Sequence, residues 1–133
     1  MRPVKFRGQR LDGRGWAFGN LCYNLNGDLC IQETKNEVKR GFAIPYVLHP
    51  IAPETVGQNT GLKDMRGADI FEGDVVLVTM NIAHGKTIAQ CVKVWFERGS
   101  FVCDWGNKGP QKLDAFSYNV VLEVTGNVYD IAC

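Results

Sequence analysis

The chain has 133 residues, 45% of them apolar and 22% charged, a composition that suits one folded domain or two small lobes and excludes disorder as the main state. Fifteen Lys and Arg stand against fourteen Asp and Glu, a formal net charge of +1, far from the strongly basic balance of a protein that coats nucleic acid. No apolar run approaches the ~20 residues of a membrane-spanning helix, and none follows the basic start Met1-Arg2-Pro3-Val4-Lys5-Phe6-Arg7, so no signal peptide is read and a cytosolic protein is expected.

The elements read in chain order are almost all strands. Val4-Lys5-Phe6-Arg7 alternates as a first strand. Trp16-Ala17-Phe18-Gly19 joins the same sheet through the glycine-rich turn at Gly13 to Gly15. Leu21-Cys22-Tyr23-Asn24-Leu25 and Asp28-Leu29-Cys30-Ile31-Gln32 flank Asn26-Gly27, which predicts a hairpin with a type I′ turn. Residues 44–53 hold three prolines, Pro45, Pro50 and Pro53, and read as an extended linker or edge, because proline fixes φ and lacks a donor. A short strand and a turn follow over Glu54 to Leu62.

From Lys63 onward hairpin succeeds hairpin. Turns are read at Asp64-Met65-Arg66-Gly67 and around Gly73. Val75 to Met80 is a β-branched strand, turned at His84-Gly85 into Ile88 to Phe96, with Val92, Val94 and Phe96 on one face and Cys91, Lys93 and Trp95 on the other. Gly99 begins another return through Phe101 to Trp105. One short helix is placed at Pro110 to Phe116, and Tyr118 to Val124 with Gly126 to Tyr129 close the chain. No internal repeat is read. The expected class is mainly β, β-rich α+β at most, with at most one or two short helices: a small N-terminal antiparallel sheet, then a small barrel or rolled sheet. Residues 1–53 form an N-terminal lobe with its proline-rich linker and 54–133 a C-terminal lobe, or both make one integrated domain.

Four places together resemble the YopX family of phage and prophage proteins: Val4-Lys5-Phe6-Arg7; Glu54-Thr55-Val56-Gly57-Gln58-Asn59-Thr60-Gly61-Leu62-Lys63-Asp64; Gly67 with Ile70-Phe71-Glu72-Gly73-Asp74-Val75-Val76; and Glu123-Val124-Thr125-Gly126-Asn127-Val128-Tyr129. The resemblance implies a mostly β protein whose C-terminal lobe is an SH3-like small barrel, carried by a phage, prophage or other mobile element of bacteria. It implies no activity. The motif residues Gly57, Gly61, Gly67, Glu72, Gly73, Asp74, Gly126 and Asn127 also have a structural reading, as turn formers and turn acceptors.

Catalytic equipment is sparse. Glu72 and Asp74 flank one glycine and read as a solvated turn rather than an acid–base pair. His49 lies between prolines, His84 in a turn, and the serines are Ser100 and Ser117 only, so no nucleophile with its base is seen. Gly85-Lys86-Thr87 resembles the end of a phosphate-binding loop, but Met80 stands where its first glycine belongs and a strand follows. The five cysteines, Cys22, Cys30, Cys91, Cys103 and Cys133, lack a C-x-x-C pair and read as free thiols packed as small hydrophobes. No enzyme, catalytic residue, metal or cofactor is expected.

Two binding readings stay open. Residues 1–40 hold eight basic and four acidic groups, net +4, and 41–133 hold seven and ten, net −3. The first third is thus where a polyanion would be attracted, or it is a basic edge that discourages strand pairing. The candidate nucleic-acid or partner surface is Arg2, Lys5, Arg7, Arg10, Arg14 and Trp16, with Lys93, Trp95 and Trp105; the tryptophans equally suit a core. Protein contact is the other reading. The run Phe42, Ile44, Tyr46, Val47 and Leu48 suits an extended arm on a neighbour, or a seam within its own chain. The reading favoured is an accessory protein, expected to be a homo-oligomer in the bacterial cytosol, that acts by self-assembly or protein contact without catalysis, with nucleic-acid binding as the alternative.

Overall fold

The computed structural model describes residues 5–107, 109–113 and 120–129. The fold is mainly β, and the helical pieces among these residues are single 3-10 turns. The chain divides into two compact units, Met1–Asn59 and Thr60–Cys133.

The first unit contains β1 (Phe6–Gln9), β2 (Trp16–Tyr23), β3 (Leu29–Lys39) and β4 (Phe42–Pro50), each antiparallel to the one before. β5 (Gly57–Lys63) starts here, pairing Gly57 and Gln58 with Arg7 and Phe6, and ends in the second unit. Ala17, Ile31 and Ile51 form the core, with Phe6, Leu21, Leu29 and Val56 packed around them. The proline-rich segment is therefore mostly strand. Pro45 falls where β3 is bulged between Thr34 and Glu37, and proline is tolerated on an edge that needs no donor there. Past β4 the chain folds back on β1: Leu11 N–H donates to Pro50 at 3.0 Å and Ala52 N–H to Gln9 at 2.9 Å.

The second unit holds β6 (Asp69–Phe71), β7 (Asp74–Asn81), β8 (Thr87–Glu97), β9 (Ser100–Cys103), β10 (Gln111–Lys112) and β11 (Val120–Asn127). Ile70, Val76, Val78, Val92, Val94, Cys103 and Leu113 make its core. The strand orders are β4-β3-β2-β1-β5-β6 and β10-β9-β8-β7-β11, two antiparallel sheets that close no barrel among the described residues. Of the expected SH3-like barrel, what is seen is antiparallel sheet. Of the helix expected at 110–116, Gln111–Lys112 form β10 instead and Leu113 is 3-10, while residues 114–116 lie outside the described set.

Phe96 shares the face of Val92 and Val94, as its alternation predicts, but lies at that face's exposed end. β8 pairs with β7 up to Lys93 and with β9 from Val94. Val92 and Val94 are buried, whereas Phe96 is exposed and meets Phe101 edge-on at 5.0 Å. The thiol expectation also changes: Cys22, Cys30 and Cys103 are free, but Cys91 is disulfide-bonded.

The turns differ in kind from the sequence reading. At Asn26-Gly27 only the glycine takes a positive φ, 83°, so the hairpin is present without a type I′ turn. Asn24 holds it instead: its Oδ1 accepts from Asn26 and Asp28, and Gly27 N–H closes on Asn24 O at 3.0 Å. Paired positive φ occurs at Arg40-Gly41 and Arg98-Gly99, which join β3 to β4 and β8 to β9 in two residues each, and at His84-Gly85 in the longer β7–β8 turn.

The second unit repeats the Asn24 loop. Asp64 Oδ1 accepts from Arg66 and Ala68, Gly67 N–H closes on Asp64 O, and Asp64 N–H donates to Ala68 O as Asn24 N–H donates to Asp28 O. No repeat was legible in the sequence because only the glycine and one side-chain oxygen are shared.

Candidate functional site

The family-like segments turn out to be joined to one another. Gly57 pairs with Arg7, and Asn59 N–H donates to Lys5 O at 2.7 Å. Thr60 Oγ1 donates to Ile70 O at 2.7 Å. Asp64 Oδ2 accepts from Val124 N–H at 3.0 Å, Met65 N–H donates to Leu122 O, and Arg66 meets Glu123 at 2.8 Å. Asp74 pairs with Asn127, Val75 with Gly126, and Val128 N–H donates to Gly73 O at 2.8 Å. These residues hold the fold.

Asp74 is buried, with Oδ2 taking Phe71 N–H at 2.7 Å, so it does not share a solvated turn with Glu72. Asn127 Oδ1 takes Tyr129 N–H, and Gly67 and Gly73 have the positive φ of turns, whereas Gly57, Gly61 and Gly126, read as turn formers, lie within the strands β5 and β11, Gly61 with a positive φ. Burial alone would raise the Asp64 carboxyl, but three backbone donors and Arg66 more than offset it and hold it below the usual value.

The basic candidates do not share one role. Arg2 lies outside the described residues. Lys5 and Arg14 are exposed. Arg7 is buried, its guanidinium 4.5 Å from the centre of the Trp16 ring. Arg10 is bound to Asp12 at 2.6 Å, and that carboxyl is held low by Arg14 N–H first and by Arg10 second. In the second unit Lys93 is exposed, Trp95 half-buried, and Trp105 packs against the core. Asp104 Oδ1 takes Lys93 N–H and Gln90 Oε1 takes Gly106 N–H, which fixes the Trp105 turn on β8.

Two surfaces of the first unit stand out by their exposed side chains. The first is the face of β2 that points away from its core. Alternation buries Ala17 and Leu21 and turns Phe18 and Asn20 outward. Asn20 stands opposite Gln32 on β3, and Phe18 opposite Arg7 on β1. A concavity of about 330 Å³ lies here, lined by Lys5, Phe18, Asn20, Gln32, Glu33 and Thr34 with Gly19 at the backbone. Phe18 is 46% exposed. Glu33 is occupied by His49 at 2.7 Å and Lys35 at 3.2 Å, and these two, His49 first, hold its carboxyl low. Phe18, Asn20 and Gln32 were not singled out in the sequence, because only the register across three strands brings them together.

The second surface is the edge strand β4. It pairs with β3 on one side and ends its sheet on the other. From Phe42 to Pro50 it has no Lys, Arg, Asp or Glu. Val38 and Phe42, at the β3–β4 turn, are 73% and 74% exposed, and Tyr46 is exposed too. The long strand β11 is different: its second edge carries the bonds from Met65 and to Asp64.

The family model described as YopX protein matches residues 5–132. No curated protein matches the chain.

Proposed function

Since the chain belongs to the YopX family over nearly its whole length, we propose, with that membership as premise, that it works by binding rather than catalysis, and that its first contact is a second copy of itself along β4. The observation that carries this reading is the uncharged edge from Phe42 to Pro50. Natural sheets blunt a solvent-facing edge with charge, shortness, proline or bulges; β4 has its prolines but no charge, and a long apolar edge is a template for another strand. An edge strand pairing antiparallel with its own copy makes a two-fold interface, the commonest oligomer symmetry. Pro45 and Pro50 both lack an N–H and Pro50 O already accepts from Leu11, so the stretch offered to a second copy runs from Phe42 to His49. Exposed Val38, Phe42 and Tyr46 add the apolar area that a stable contact needs. A net charge of +1 opposes association only weakly.

The setting proposed with it is an accessory protein of a phage or other mobile element, acting in the cytosol of a bacterial host; the family likeness supports it. No helix among the described residues is long and apolar enough to cross a membrane.

Size-exclusion chromatography with light scattering tests the contact. The wild-type chain is expected at twice its 14.8 kDa, and the double variant Phe42→Lys, Tyr46→Lys at the single mass with an unchanged circular dichroism spectrum. A wild-type monomer at micromolar concentration sinks the reading.

A further inference from the structure

The outward face of β2 has features that the edge contact does not use. It combines a half-exposed aromatic ring, two opposed amide side chains and a cation around one concavity. We propose that this face binds single-stranded nucleic acid, one base stacking on Phe18 and meeting the amides of Asn20 and Gln32 while Lys5 takes an adjoining phosphate.

The volume is the first support. About 330 Å³ suits a base with part of its sugar and falls in the range of small-ligand sites. The chemistry of the lining is the second. An exposed Phe beside a shallow, polar-rimmed hollow is a stacking platform, and every base offers it a π-face. Asn20 and Gln32 lie directly across from each other, and each side-chain amide offers both a donor and an acceptor to the edge of a base.

Charge is the third. Residues 1–40 carry eight basic and four acidic groups. Of the acids, Asp12 is bound by Arg10, and Glu33 by His49 and Lys35. Lys5 lines the hollow and is exposed, and Arg14 is exposed on the β1–β2 turn. Glu33, the acid among the lining residues, is thus partnered, and Lys5 is the cation placed to meet a phosphate.

Gly19 makes the hollow possible. Its φ is 154°, and a Cβ there would overlap the carbonyl of Gln32, so β2 and β3 approach closely beneath the lining side chains. A single strand is favoured over a duplex because stacking needs an unpaired base, and paired bases hide their faces in the helix. The contact uses a different surface from the β4 edge, so either can fail without the other.

The test is fluorescence anisotropy of a labelled oligo-dT of about twelve nucleotides, within the ~4–16 that single-strand sites occupy, titrated with the whole chain at about 50 and about 200 mM salt. The wild type is expected to bind, more weakly at the higher salt. Phe18→Ala should bind about tenfold more weakly at both, and Phe18→Trp should restore binding. Lys5→Gln should lower the slope of log affinity against log salt by about one. Gln32→Ala should weaken binding without changing that slope. Lys112→Gln, in the second unit, should bind as wild type does. Circular dichroism and thermal midpoints establish that each variant is folded. No binding by wild type at the lower salt overturns the proposal. So does equal binding by folded Phe18→Ala, which would mean electrostatic adsorption alone, or equal competition by duplex.

Discussion

Asp64 and Val124, 60 positions apart, are tied by one hydrogen bond, from the Val124 N–H to Asp64 Oδ2 at 3.0 Å. The same carboxylate shapes its own turn through Oδ1, taking Arg66 and Ala68 N–H at 2.9 Å each. Asp64→Asn keeps an oxygen for the turn but sets an amide donor against the Val124 donor. A loss of about 1–3 kcal/mol is expected, since a buried N–H goes unsatisfied. Urea unfolding of the two proteins measures it, and equal midpoints would show the bond to be idle.

Acid should reveal the same group. The folded Asp64 carboxyl lies below its ordinary 3.8. A depressed folded value contributes stability above the unfolded one and forfeits it as pH falls through the folded one. The gap between wild type and Asp64→Asn is therefore expected to be full at pH near 6 and to shrink below pH about 4. Unfolding curves at several pH values check this, and a gap that stays constant into acid would assign the stability elsewhere.

Gly19→Ala tests the closeness of β2 and β3. Its φ of 154° and the overlap with the Gln32 carbonyl leave an added methyl no relaxed position. A cost of at least ~2 kcal/mol is expected from the backbone alone, read as a lowered thermal midpoint. By contrast Gly27→Ala meets no atom within 4 Å and costs only the strain of its φ of 83°.

The thiols should separate by burial. Cys30 and Cys103 are buried, and that burial pushes both thiols up, Cys103 despite a backbone donor from Trp105. Cys22, opposite Cys30 on the neighbouring strand, is only partly buried. A thiolate-selective reagent at neutral pH should label Cys22 in the folded chain and the other two only after denaturant. Mass spectrometry of the labelled peptides decides it, and early labelling of Cys30 or Cys103 would contradict the packing described.

Much of the fold was legible from residue alternation. Val75 to Met80 reads as a strand because it is β-branched and Ile88 to Phe96 because its faces alternate, and both are strands. What escaped was set at a distance. The proline-rich segment was read as an extended linker or edge, and the edge is what forms, as β4; its pairing with β3 was not legible. The turn at Asn26-Gly27 was read from those two residues, while Asn24 supplies the oxygen that fixes it.

The site was less legible than the fold. Arg7 looked like a surface cation, but it lies opposite Phe18 and stacks on Trp16, and nothing local to Val4-Lys5-Phe6-Arg7 says so. Phe18, Asn20 and Gln32 meet only once three strands take their register. Gly67 and Gly73 were legible as turn residues, but Gly57, Gly61, Asp74, Gly126 and Asn127 fall in strands, where they join segments far apart in sequence.

The twin loops differ in what an interruption would cost. The hydrogen bonds described for the Asn24 loop run within residues 24–28, and Leu25 at its tip is fully exposed. Its counterpart also grips β11 through Met65 and Asp64. New termini or a grafted epitope placed between Leu25 and Asn26 would thus sever only a self-contained bend, whereas the same surgery between Met65 and Arg66 would unfasten a strand at the far end of the chain.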